Sequence, residues 1–181
     1  MSASRFLTAS EVYGAFPEIA DLITVPGSSA PPPAFIRALA AGATPEDAVT
    51  FCAFTLGRRE AVWWACQSVR EIVAEEDPCL KAAEDWVRQP DDELRQAALD
   101  LGMAANKAAP TAWVALAAGW SGGNIAPGSP TTVPPAPPMT ATAARAAVLI
   151  ALARVPAKER EQRLQRCVAE GLRLIEPGSS R

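Results

Sequence analysis

The chain has no histidine at all, one tyrosine and a net charge of only −3. Without histidine there is no Ser-His-Asp or Cys-His catalysis, no His-ligated zinc and no histidine pH switch. The mild acidity gives no electrostatic case for nucleic acid or for an anionic membrane. Long apolar runs are missing as well. The longest, Ala146 to Ala153, falls far short of the roughly 20 residues that a membrane-spanning helix needs. The opening "MSASRFLTASEVYGAF" lacks a basic region leading into a hydrophobic stretch, so it does not read as a signal peptide, and a cytoplasmic protein is expected. The four cysteines, Cys52, Cys66, Cys79 and Cys167, form no C-x-x-C pair. They read as small buried hydrophobes in a reducing compartment, with disulfides or a cysteine metal site as the alternatives.

What is present is helix. Strand signals are nearly absent, because alternating runs and β-branched clusters are few. The expected fold is all-α: one compact multi-helix domain over residues 1–181, built from antiparallel helix hairpins. Its segments read as short helices and a Pro-rich loop (1–43), central helices (44–120), a proline-rich strap (121–139) and a C-terminal helical hairpin (140–176). Thr8 to Glu11 has the form of a capping box. Thr44-Pro45-Glu46-Asp47 is a strong helix start, and Gly57 is read as its left-handed stop. The next helix runs from Arg58 to about Glu76, and the tight joint suggests a hairpin over Thr44–Glu76. A second hairpin is read at Thr140–Ile175, with Thr140 as a cap. Leu94, Ala97, Ala98 and Leu101 are read as one inward face. Thr111–Ala118 and Ala143–Ala153 are almost wholly apolar, which marks short helices as central and buried.

"AAGWSGGN", Ala117 to Asn124, contains a literal G-x-S-x-G. A nucleophile elbow sits between a strand and a helix and needs a base for its serine. Here the lead-in is a helical, Ala-rich segment, and no histidine can serve. The stretch reads instead as a helix stop, with Gly122, Gly123 and Asn124 supplying or tolerating positive φ. Beyond it the chain from Ser121 to Met139 shows no regular element. Its six prolines from Pro127 to Pro138 stiffen it toward polyproline II. Such a long irregular segment is either a strap connecting two buried helices or a loop presented to a partner.

In "RREAVWWACQSVRE" and the two residues after it, Ala61, Val62, Ala65, Cys66, Val69, Ile72 and Val73 make one broad apolar helix face. Trp63 and Trp64 fall on opposite flanks of it. The helix is therefore contacted on more than one side, either by neighbours on both flanks or by a partner on one. Trp and Arg are enriched at binding hot spots, and Arg58, Arg59 and Arg70 lie close by. Arg59, four residues before Trp63, is placed to stack on its ring.

"FCAFTLGRREAVWWACQSVR", together with the segment from Ala112 to Arg154, resembles an uncharacterised bacterial family of small helical proteins. That family carries a Trp-Trp helix and a Trp-Ser-Gly-Gly turn before a proline-rich strap. The likeness covers roughly Thr44 to Ile175. The resemblance associates the chain loosely with type VI secretion gene neighbourhoods, where small proteins act as effector chaperones or adaptors. It carries no catalytic residues with it. The matching positions are Arg59, Glu60, Trp63, Trp64, Trp120, Ser121, Gly122 and Gly123.

The leading reading is a non-enzymatic protein-binding module without a cofactor or metal. Its partner would be another protein, a secreted effector or a secretion component. Binding would use Arg59, Trp63, Trp64, Arg70, Trp120, Ser121, Gly122, Gly123 and Asn124. Two alternatives stand beside it. One is a small-ligand binder or enzyme in which Glu60, Glu71, Arg59 and Arg70 converge in a pocket. The other is a homodimer joined through the tryptophan pair.

Overall fold

Several helix starts are written into the chain as side-chain caps; the capping box at Thr8 is used as read, whereas the start at Thr44–Asp47 carries no side-chain cap. The Thr8 hydroxyl accepts the Glu11 amide at 3.2 Å, while the Glu11 carboxylate takes the Leu7 amide at 2.7 Å. Asp77 accepts the amides of Cys79 and Leu80, and Asp91 accepts that of Leu94. Each satisfies a donor that a helix N-terminus would otherwise leave orphaned.

The computed structural model describes residues 5–73 and 76–176. Among them the regular structure is entirely helical: α1 (Ala9–Ala15), α2 (Ile19–Leu22), α3 (Pro32–Ala40), α4 (Glu46–Thr55), α5 (Arg58–Arg70), α6 (Pro78–Arg88), α7 (Asp92–Ala104), α8 (Pro110–Gly119), α9 (Met139–Arg154) and α10 (Ala157–Ile175). The all-α class is as expected. No described helix is long and apolar enough to cross a membrane.

The helices divide into two compact units. One comprises Met1–Gly57 with Pro156–Arg181, and the other is Arg58–Val155. The two tight joints, at Gly57 and at Val155, are the boundaries. The helix pairs read as hairpins over Thr44–Glu76 and Thr140–Ile175 are therefore each divided between units. Within the units, packing between successive helices is found at α3–α4, α5–α6, α6–α7, α7–α8 and α8–α9.

In the unit formed by the chain's two arms, α4 is the centre. Ala48 through Thr55 are all buried, and α3 and α10 pack against this helix. Tyr13, Phe35 and Phe51 form one ring cluster, and Phe16 packs on Phe54 as a separate pair, all edge-on or tilted, the geometry that aromatic quadrupoles favour. Between α1 and α3, Ile19 and Ile23 are buried and Leu22 is half-buried, while Val25 is exposed.

In the Arg58–Val155 unit the centre is α8. It is apolar on every side, and α5, α6, α7 and α9 all pack on it. A helix without a polar face has to be surrounded. Glycine sets how closely α7 approaches it. A Cβ on Gly119 would lie 2.6 Å from that of Leu99, and one on Gly102 would lie 2.9 Å from the Leu116 nitrogen.

Three expectations are corrected. Gly57 is not a left-handed cap, since Gly123 is the positive-φ residue among those described. The helix expected to reach about Glu76 ends at Arg70, and Ala74 and Glu75 lie outside the described residues. Finally, α7 turns Arg95, Ala98, Leu99 and Gly102 inward, while Ala97 and Leu101 are exposed. The stripe is displaced because a buried arginine heads it. All four cysteines are buried and outside any disulfide, and burial pushes the Cys52 and Cys66 thiols far up, with Cys167 and Glu84 adding to the respective shifts.

Candidate functional site

The residues after α8 are held one by one, each by a different partner. Gly119 gives its carbonyl to Arg95 Nη1 at 2.8 Å. The Trp120 carbonyl accepts the Thr140 hydroxyl at 2.9 Å. That of Ser121 accepts Arg58 Nη1 at 2.8 Å. Gly123, at φ +63°, lies over the Arg95 guanidinium, which a Cβ there would approach to 2.6 Å. These bonds occupy the carbonyls that a helix C-terminus leaves open. Thr140, expected to cap α9, lies inside that helix and ties its first turn back to α8.

Arg95 organises the turn, and its side chain is almost wholly buried. Besides Gly119 it reaches the Asn124 carbonyl at 3.4 Å, and its Nε donates to Asp92 at 2.7 Å. A buried guanidinium is tolerable only when its donors are met this fully. Sequence reading passed over Arg95, because a charged residue is not expected on an inward face. The signal was there in the spacing: Arg95, Ala98, Leu99 and Gly102 form a regular helical stripe, with Asp91 and Asp92 just before it.

Asn124 then organises the loop. Its side-chain oxygen accepts the Ala126 amide at 3.1 Å and the Val133 amide at 2.9 Å. The Ile125 amide donates to the Val133 carbonyl at 2.9 Å. Residues 124–133 are thus a closed loop rather than an extended strap. Gly122 has open space around it and is not left-handed, so of the two glycines only Gly123 is demanded by its conformation.

The G-x-S-x-G match is thereby explained by packing. Gly119 admits Leu99, Gly123 admits Arg95, and Ser121 contributes its carbonyl. The motif follows a helix, so it lacks the strand-to-helix geometry of a nucleophile elbow.

The tryptophan pair separates. Trp64 is fully buried and belongs to the core, which removes it from any surface. Trp63 is 37% exposed and lines a shallow depression of about 400 Å³ with Arg59, Glu60, Val87 and Arg88. Arg59 does not serve as a stacking partner for Trp63. Its Nε and Nη2 donate to the Val87 carbonyl at 2.9 and 2.6 Å, holding the C-terminus of α6, where a cation suits the helix dipole.

Arg70 turns elsewhere. It forms a two-pronged pair with Glu84, at 2.6 and 2.9 Å, and this bond raises the Arg70 pKa. Arg70 and Glu84 line a second hollow with Lys81 and Arg88, so Arg59–Glu60 and Arg70 belong to separate depressions. Glu71 is exposed just past the end of α5. Among the described residues no cluster of three or more histidine, cysteine or acidic side chains is placed to hold a metal.

Fold and site together define an all-helical protein with a built Gly-Asn turn, an anchored proline loop and one surface tryptophan. The chain belongs to the family of unknown function DUF6931, which matches residues 35–175. No curated protein and no solved structure matches it.

Proposed function

We propose that this chain is a non-enzymatic, protein-binding module acting in the cytoplasm, as a chaperone or adaptor for another protein. The observation that carries the reading is Trp63, a large ring left partly open in an apolar depression whose rim is Arg59, Glu60 and Arg88. Aromatic side chains bordered by arginine stems are the usual anchors of protein interfaces. The anchored turn from Trp120 to Asn124 supports the same reading, since binding loops are presented by rigid scaffolds. The resemblance to proteins of type VI secretion neighbourhoods suggests a secreted effector or a secretion component as the partner.

A photo-crosslinking amino acid placed at position 63 in the native host tests this. A discrete adduct with one secretion-linked protein, lost when position 88 is changed to Glu, is expected. Adducts with the same chain alone would favour the homodimer, and a chain that stays uncrosslinked would overturn the reading.

A further inference from the structure

At the end of the proline loop one residue is buried between two exposed pairs. Pro135 is buried and Pro138 half-buried, while Pro134, Ala136 and Pro137 are exposed and Val133 is 37% exposed. A polyproline II helix has three residues per turn, so positions i and i+3 share one edge. Val133 with Ala136 and Pro134 with Pro137 make up the two outer edges, and Pro135 the inner one; at Pro138, with φ −84° and ψ −7°, the ridge has ended and the turn into α9 begins. The conformation follows from the residue types. Proline fixes its own φ near −65° and bars the preceding residue from the helical region. Here Val133, Pro134 and Ala136 all precede proline. No hydrogen-bonded element is assigned from 132 to 136.

Both ends of the segment are fastened. Val133 is bonded at its amide to Asn124 and at its carbonyl to Ile125. Ala136 accepts the Met139 amide at 3.1 Å and donates to the Met139 sulfur at 3.2 Å. The chain carries no charge between Ile125 and Ala144, so this ridge enters an apolar slot without desolvating an ion.

We infer that Val133-Pro134-Pro135-Ala136-Pro137 is a ready-made polyproline II ligand, presented outward for an aromatic-lined groove on another protein. Two apolar-Pro pairs three residues apart fill two neighbouring slots between Trp or Tyr rings. The third edge points away from the reader, and here that edge is the one lodged against the protein's own body. Anchoring at Asn124 and Met139 removes most of the ordering cost that a free proline peptide would meet on binding. The inference deepens the protein-binding reading and rests on it, but it does not involve Trp63.

The test is a photo-crosslinker at position 136 of the full chain in its native host, with the adduct site mapped by mass spectrometry. The expected adduct lies in a Trp- or Tyr-lined groove of the partner. A synthetic peptide of residues 131–140 in excess, or the pair Pro134→Ala and Pro137→Ala, should lower its yield about tenfold or more. Pro127→Ala, outside the ridge, should leave the yield unchanged, and circular dichroism should show all variants folded. An adduct on a surface without aromatic residues, on a second copy of this chain, or unaffected by the peptide would overturn the inference. If the position-63 adduct persists while position 136 yields none, the ridge is refuted and the protein-binding reading stands. If neither forms, both fail.

Discussion

Gly122 and Gly123 are neighbours in one turn, yet alanine should affect them oppositely. Gly123 has φ +63° and the Arg95 guanidinium against it, so Gly123→Ala should destabilise by about 1–3 kcal/mol. Gly122 faces open space at an ordinary φ, so Gly122→Ala should be neutral or stabilise by up to about 1 kcal/mol. Thermal melts of the two variants compare them directly. A second residue-scale prediction concerns Tyr13, whose hydroxyl donates to the Val25 carbonyl at 2.5 Å. Burial first, and then the charge of Asp47, raises its pKa above the ordinary value of 10.0. The fold therefore favours the neutral phenol. Its contribution is complete below the unfolded-state value and is lost as pH rises through the higher folded-state value. Tyr13 is the only tyrosine, so absorbance near 295 nm titrates it alone. The midpoint should lie above 10 in the folded protein and return to about 10 in denaturant. In Tyr13→Phe this alkaline loss of stability should be absent.

Where two helices meet, the space for a single carbon decides the outcome. Between α7 and α8 the close approach depends on Gly119 and Gly102. Gly119→Ala should cost about 1–3 kcal/mol through overpacking. Leu99→Ala should not rescue it, because the added carbon would also lie 2.7 Å from the Leu99 Cα. Chemical denaturation of the single and double variants checks this. The elements that the sequence disclosed were those with caps or one-sided apolar faces. On the apolar face of α10, Leu164, Cys167, Val168 and Ile175 are buried and Leu172 is half-buried, and on α6 Leu80, Ala83 and Val87 are buried. On α7 the hydrophobic pattern misled, because the energy of burying Arg95 is met by carbonyls 24 and 29 residues away. Local periodicity does not contain such partners. The same holds for the tryptophan pair. Its divergence was legible from the 100° helical step, but which ring stays in solvent depends on α6 supplying Val87 and Arg88. For the turn, the glycine stop was legible, while the hold of Arg58, Arg95 and Thr140 on its carbonyls came from elements far along the chain.

The molecule sorts its aromatics by unit. Every phenylalanine and the tyrosine precede Gly57, whereas all five tryptophans lie between Arg58 and Val155. Tryptophan fluorescence therefore reports on one unit and tyrosine absorbance on the other. The Arg58–Val155 unit is a single stretch with α8 as its own centre. Expressed alone, a fragment of these residues should give a helical spectrum and one cooperative fluorescence transition on heating. A gradual, non-cooperative change would refute its independence. The other unit is assembled from both arms, with α10 packed on α3 and α4 across the whole intervening stretch. The order of synthesis follows from this topology. As the chain leaves the ribosome, the tryptophan unit has its full sequence while the phenylalanine unit still lacks α10. During that interval the part of α4 that α10 covers stays open, so the earliest-made helices are completed last and are the part of the nascent chain most in need of protection.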